Sequence, residues 1–154
     1  MFERCHSPHE VAYVYARHGY PVELACGRAS ILTSSKLGAV VMVSSLGRSV
    51  RELLGDAVPV PIISHPKHRQ WIFLAGPERA RRLGPQALIE LQRHDVRVLN
   101  AGCRLWLPMS DSRTGWYWAS PPLGGMSSVP SRTSVFQAVR AALDSRTVAH
   151  AERC

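Results

Sequence analysis

The sequence predicts a single α+β domain, a mixed and mostly antiparallel sheet flanked by helices. Three observations carry this expectation. The chain has 154 residues, of which 45% are hydrophobic and 19% charged, the size and balance of one domain around one sizeable core. Residues 37–43, LGAVVMV, form an uninterrupted apolar run of strand length, as expected of a strand buried on both faces at the centre of a sheet. Segments with helical spacing alternate with short β-rich segments bounded by Gly and Pro, with no internal repeat and no domain boundary.

Taken in order, Ser7-Pro8-His9-Glu10 starts a helix. Ser7 caps it, Pro8 suits its first turn and Glu10 completes a capping box. Val11, Val14 and Tyr15 supply one apolar face and Gly19 ends it. Residues 20–24 read as a short strand. Residues 26–36 are a polar, small-residue connection with a weak strand at 30–33. The buried strand 37–43 leads into a helix over 46–54, with Leu46, Val50, Leu53 and Leu54 in helical spacing and Gly55 as terminator. Gly76-Pro77 starts a further helix carrying Arg79, Arg81 and Arg82, and Gly84-Pro85 restarts it, with Ala87, Leu88 and Leu91 inward up to His94. Arg79, Arg82 and Arg93 read as a solvated helix face. Residues 96–99 and 104–107 form a hairpin through Asn100-Ala101-Gly102, residues that tolerate positive φ. Pro108 ends it. Residues 115–118 make the last strand, and 120–132, rich in Pro, Gly and Ser, a loop or crossover. A helix over 134–143, with Val135, Val139 and Leu143 on its apolar face, closes the domain. Residues 1–145 are therefore expected to fold together, and 146–154 to form a flexible C-terminal tail.

The most informative stretch is 58–75, VPVPIISHPKHRQWIFLA. It predicts strands at 60–63 and 70–74, joined by a compact basic loop over 64–69. Pro59 and Pro61 make the first strand an edge or a late starter, and Pro66 forces the turn. The loop carries His65, Lys67, His68 and Arg69, with Trp71 one step into the return strand. Cationic groups beside an aromatic ring suit an anionic, stackable partner; they equally suit a solvated hairpin tip.

The formal net charge is +8, which favours anionic partners without choosing among nucleic acid, acidic protein and membrane surface. No apolar run is long enough to cross a bilayer, and MFERCHSPHE lacks the apolar core of a secretion signal, so a cytoplasmic protein is expected. Cys5, Cys26, Cys103 and Cys154 are widely spaced and expected to be reduced there. Cys5, His6 and His9 match no standard zinc spacing, and no metal or cofactor is expected.

The order of elements resembles the bifunctional DNA primase/polymerase N-terminal family of actinobacteria, within the archaeo-eukaryotic primase superfamily. Four pieces carry the likeness: the opening helix into Ala16-Arg17-His18-Gly19-Tyr20-Pro21-Val22; the buried strand 39–43 with its following helix; Arg69-Gln70-Trp71-Ile72-Phe73; and GCRLWLPMS at 102–110 followed by Trp116-Tyr117-Trp118. The resemblance implies a primase-polymerase-like fold and a role in DNA replication. Members of that family transfer nucleotides with two metal ions held by carboxylates on the buried strand. The equivalent places fall near Met42 and Ser44, and no Asp or Glu lies between Glu23 and Glu52. The second-motif histidine would fall at Gln70, with His68 two residues earlier. The third-motif acid would fall near Asn100, and Asp95 is several residues early. Met, Ser and Asn do not hold a hard divalent metal usefully. The resemblance thus implies a degenerate member with no catalytic residues.

Three functional readings follow. The first is a catalytically inactive module that binds nucleic acid or nucleotide through Lys67, His68, Arg69 and Trp71, with Arg104 and Arg113 adding phosphate contacts if the two hairpins lie side by side. Trp106 and Trp118 are expected mostly in the core, and Trp71 or Trp116 as the exposed rings. The alternative is a protein-interaction or regulatory module using residues 121–130 or the N-terminal helix. The third is an unrelated enzyme using Ser64-His65, or Cys103 with His94, for which the sequence offers no elbow, oxyanion glycines or third partner.

Overall fold

The computed structural model describes residues 1–55, 60–79, 83–99 and 101–151. They form an α+β domain, as the sequence predicts, but with two antiparallel sheets in place of the single expected one. The order is α1 (Pro8–Arg17), β1 (Val22–Ala25), β2 (Arg28–Leu32), β3 (Gly38–Val43), α2 (Ser44–Leu54), β4 (Ile62–His65), β5 (His68–Ala75), α3 (Pro85–Arg93), β6 (Arg97–Leu99), β7 (Arg104–Trp106), β8 (Tyr117–Ser120), a 3-10 turn (Met126–Ser128) and α4 (Arg132–Ala151). One sheet has the order β6-β3-β5-β4-β8 and the other β1-β2-β7.

The larger sheet has an apolar layer on each face. Along β3, Ala39 and Val41 point into one cluster with Val11 and Tyr15 of α1, Ile31 of β2 and Leu105 of β7. Val40 and Met42 point into the other, with Leu46 and Val50 of α2, Leu91 of α3 and Val135 and Val139 of α4. Strand alternation distributes one apolar run to both layers, and burying each Val or Met side chain contributes about 1.5–3 kcal/mol. On the α1 side, the Tyr15 hydroxyl donates to the Pro108 carbonyl oxygen at 2.6 Å and accepts from Trp118 Nε1 at 2.9 Å.

α1 starts as expected, with the Ser7 hydroxyl accepting from the Glu10 N–H. Glu10, however, reaches back to the His6 N–H rather than closing the box on Ser7. The Cys26-Gly27 turn between β1 and β2 has φ of 49° and 68°, the left-handed pair that a two-residue primed hairpin turn requires.

Several sequence expectations are corrected. Residues 96–99 and 104–107 do not form a hairpin. β6 pairs with β3 and β7 with β2, because the Gly102 N–H donates to the Thr33 carbonyl and carries the chain from one sheet to the other; Asn100 lies outside the described residues. Residues 76–79 are not helical. Instead Gly76 bridges to Ser131 and its N–H donates to the Pro130 carbonyl, and Arg81 and Arg82 lie outside the described residues. The last strand is 117–120 rather than 115–118. α4 is longer than 134–143: it starts at Arg132 and continues to Ala151, into the segment 146–154 expected as a tail, whose residues 152–154 are not described. β4 starts late, after Pro61, but is not an edge, since it lies between β5 and β8.

Candidate functional site

The β4–β5 hairpin positions the candidate site. Its expected basic loop over 64–69 is only a two-residue turn, Pro66-Lys67, because His65 and His68 are themselves paired across the strands. Neither Pro66 nor Lys67 has positive φ, so the turn is not of the primed kind that matches strand twist. A bulge at Ser64/His65, where β5 carries the extra residues Arg69 and Gln70, supplies the local twist instead.

Three rings meet on the α1 side of the sheet. The His65 and His68 ring centroids are 4.6 Å apart, and those of His65 and Trp116 are 5.0 Å apart. His68 lies nearly parallel to Trp116, at 5.7 Å and 13°, an offset stack. His65 Nδ1 accepts from the Lys67 N–H at 3.2 Å, which leaves the proton of the neutral ring on Nε2. Desolvation, reinforced by the neighbouring charges of His68 and Lys67, holds the His65 imidazole below its ordinary pKa. Gln70 Oε1 accepts from Arg97 Nη2 at 3.4 Å.

The expected binding residues are divided by this geometry. Lys67, His68 and Arg69 lie together and exposed at the tip. Trp71 faces the opposite layer, against Phe73 and the α2–α4 cluster. Its ring packs so closely on α2 that a Cβ at Gly47 would lie 2.9 Å from its Cε3. Tyr117 of β8 is opposite Ser64, which is itself opposite Trp71, and the exposed Arg113 lies 5.5 Å over the Tyr117 ring. Arg104 belongs to the smaller sheet. Its Nη1 donates to Ser30 Oγ at 2.7 Å and to Glu23 Oε2 at 3.3 Å, and its guanidinium lies 6.0 Å from the Trp106 ring. The two expected hairpins are not side by side, and Arg104 is engaged within its own sheet.

All four tryptophans are half-buried, so the expected split between core and exposed rings does not occur. Trp106 is covered by Arg28 at 5.2 Å. Sequence reasoning placed Trp116 only as an exposed ring and did not join it to His65 and His68; the signal was its position two residues before Trp118, immediately ahead of β8.

No protein-family model, curated protein or solved structure matches this chain.

Met42 is fully buried against α2, and Ser44 is the first residue of α2. Among the described residues, no three His, Cys, Asp or Glu side chains converge as a metal site, and no helix is long and apolar enough to cross a membrane.

Proposed function

We propose that this protein is a cytoplasmic, catalytically inactive, primase-polymerase-like module that binds nucleic acid at the β4–β5 hairpin tip. The observation that carries the reading is the tip itself: three clustered rings beside the exposed Lys67 and Arg69. No acidic residue lies between Glu23 and Glu52, between Asp56 and Glu78, or between Asp111 and Asp144, so β3, β4, β5 and β8 carry no carboxylate to offset these cations. Cations supply salt-sensitive phosphate affinity, and an exposed imidazole stacked on an indole offers a face to a base. Lys67, His68 and Arg69 act directly. Trp71 supports the hairpin from the helical layer, Arg113 adds charge near β8, and Arg104 has no part.

Fluorescence anisotropy with single- and double-stranded DNA at two salt concentrations tests the reading. Binding is expected to weaken with salt, and the Lys67→Glu, Arg69→Glu double variant to reduce the salt slope by about two. No binding of either DNA at low salt would overturn it. Primer extension with Mn²⁺ is expected to yield no product; robust extension would sink the claim of inactivity.

A second reading, protein interaction, rests on a groove of about 360 Å³ between α1 and Pro121-Pro122, lined by Val14, Trp118 and Leu123. Leu123 and the nearby α1 residue Tyr13 are 67% and 65% exposed. It predicts a protein partner with no salt-dependent DNA binding.

A further inference from the structure

A cleft lies away from the hairpin tip. It encloses about 670 Å³, within the range of small-molecule sites. Val98 and Phe136 contribute apolar walls; Ser34, Ser35, Gln92 and Arg132 contribute the polar groups. Gly38, against which Arg132 packs, opens β3 opposite Ala75, whereas the tip lies beyond the Val43–Gln70 pair at the other end of the same strands.

Arg132 is unusual in two independent ways. First, no ion pair offsets its charge among the described residues. The side chain is half-buried, Nη2 donates to the Ser34 carbonyl oxygen, and Nε is sealed from solvent with no acceptor. Among the described residues no carboxylate forms an ion pair with it. A partly desolvated, uncompensated guanidinium is costly and calls for an explanation. Second, the strand makes room for it. A Cβ at Gly38 would lie 2.6 Å from Nη2, so only glycine lets the guanidinium lie across the start of β3. A glycine inside a strand weakens it and marks a close approach. Arg132 is also the first residue of a long helix capped by Ser131, whose hydroxyl accepts from the Ser134 N–H at 3.1 Å, and the field of that helix end has the same sign.

We infer that this cleft binds a small anionic ligand, a phosphate or carboxylate on an apolar body, with Arg132 as its charged anchor. The apolar walls bury the body, and the Ser34 and Ser35 hydroxyls and the Gln92 amide complete the hydrogen bonding of the head. Glu78 borders the same cleft, so the anion is favoured at Arg132 rather than throughout it. The site is independent of the nucleic-acid reading, since it shares no residue with the tip.

Isothermal titration calorimetry with 1-naphthyl phosphate, 1-naphthoate and the neutral 1-naphthylmethanol tests this. At least one anion is expected to bind, and the alcohol about tenfold more weakly or worse; a single binding anion identifies the head group. Ser35 is exposed, so Ser35→Asp leaves the fold intact and is expected to weaken anion binding about tenfold by placing a like charge in the cleft. Arg132→Gln is expected to abolish the preference for anions, and Arg132→Lys to retain part of it. The Lys67→Glu, Arg69→Glu variant is expected to bind the naphthyl anions unchanged. The inference is overturned if the alcohol binds as tightly as the anions, if Ser35→Asp has no effect, or if neither anion binds at millimolar concentration.

Discussion

At the scale of single residues, His65 is the most testable member of the tip. Burial and the charges of His68 and Lys67 lower its pKa from the ordinary 6.5. A folded-state pKa below the unfolded value means that the fold favours neutral imidazole. The associated stability is present above the unfolded pKa and is lost as pH falls through the folded one. His68→Ala removes one of these neighbouring charges, so the His65 titration followed by NMR is expected to move upward toward 6.5. An unchanged midpoint would mean that His68 exerts no field on His65. The individual residues of the tip were legible in the sequence because Lys, His and Arg beside a Pro turn are visible in a linear string. The ring cluster was not, because Trp116 reaches His65 only through the β4–β8 pairing, across some fifty intervening residues. Arg132 was invisible for a related reason: its meaning depends on Gly38, at the other end of the chain.

At the scale of elements, local patterns were read well and long-range partnerships poorly. The apolar run of β3, the Ser7 cap of α1 and the helical spacing of α2 each contain their own explanation. The Asn100-Ala101-Gly102 turn looked like a hairpin because its residues tolerate positive φ, and Gly102 does have a φ of 86°. Yet that freedom serves a passage between sheets. The Cys26-Gly27 hairpin was overlooked because Cys is seldom placed at a left-handed position. The contact between α2 and β5 yields a prediction about opposing effects. Gly47→Ala gains about 1 kcal/mol of helix propensity, but its methyl group meets the Trp71 ring, held between α2 and Phe73, and overpacking of this kind costs about 1–3 kcal/mol. The clash is expected to win, lowering the denaturation midpoint and shifting Trp71 emission. An increase in stability would mean that the ring moves aside freely.

At the scale of the whole molecule, the fold class followed from composition and periodicity, because alternating short strands and amphipathic helices in one domain-sized chain leave few other solutions. Division into two sheets did not follow, since the strand that joins the smaller sheet last, β7, lies far along the chain from its partner β2, with Leu32 opposite Arg104. The same strand orders bear on how the chain is made. β3 and β4 are synthesised early, but β6 and β8, which close the two edges of the larger sheet, are encoded at 97–99 and 117–120. Until the ribosome has passed Ser120, β4 presents bare amides and carbonyls beside an apolar surface, the kind of edge that recruits other chains. A product released prematurely, before Tyr117, would therefore be prone to self-association.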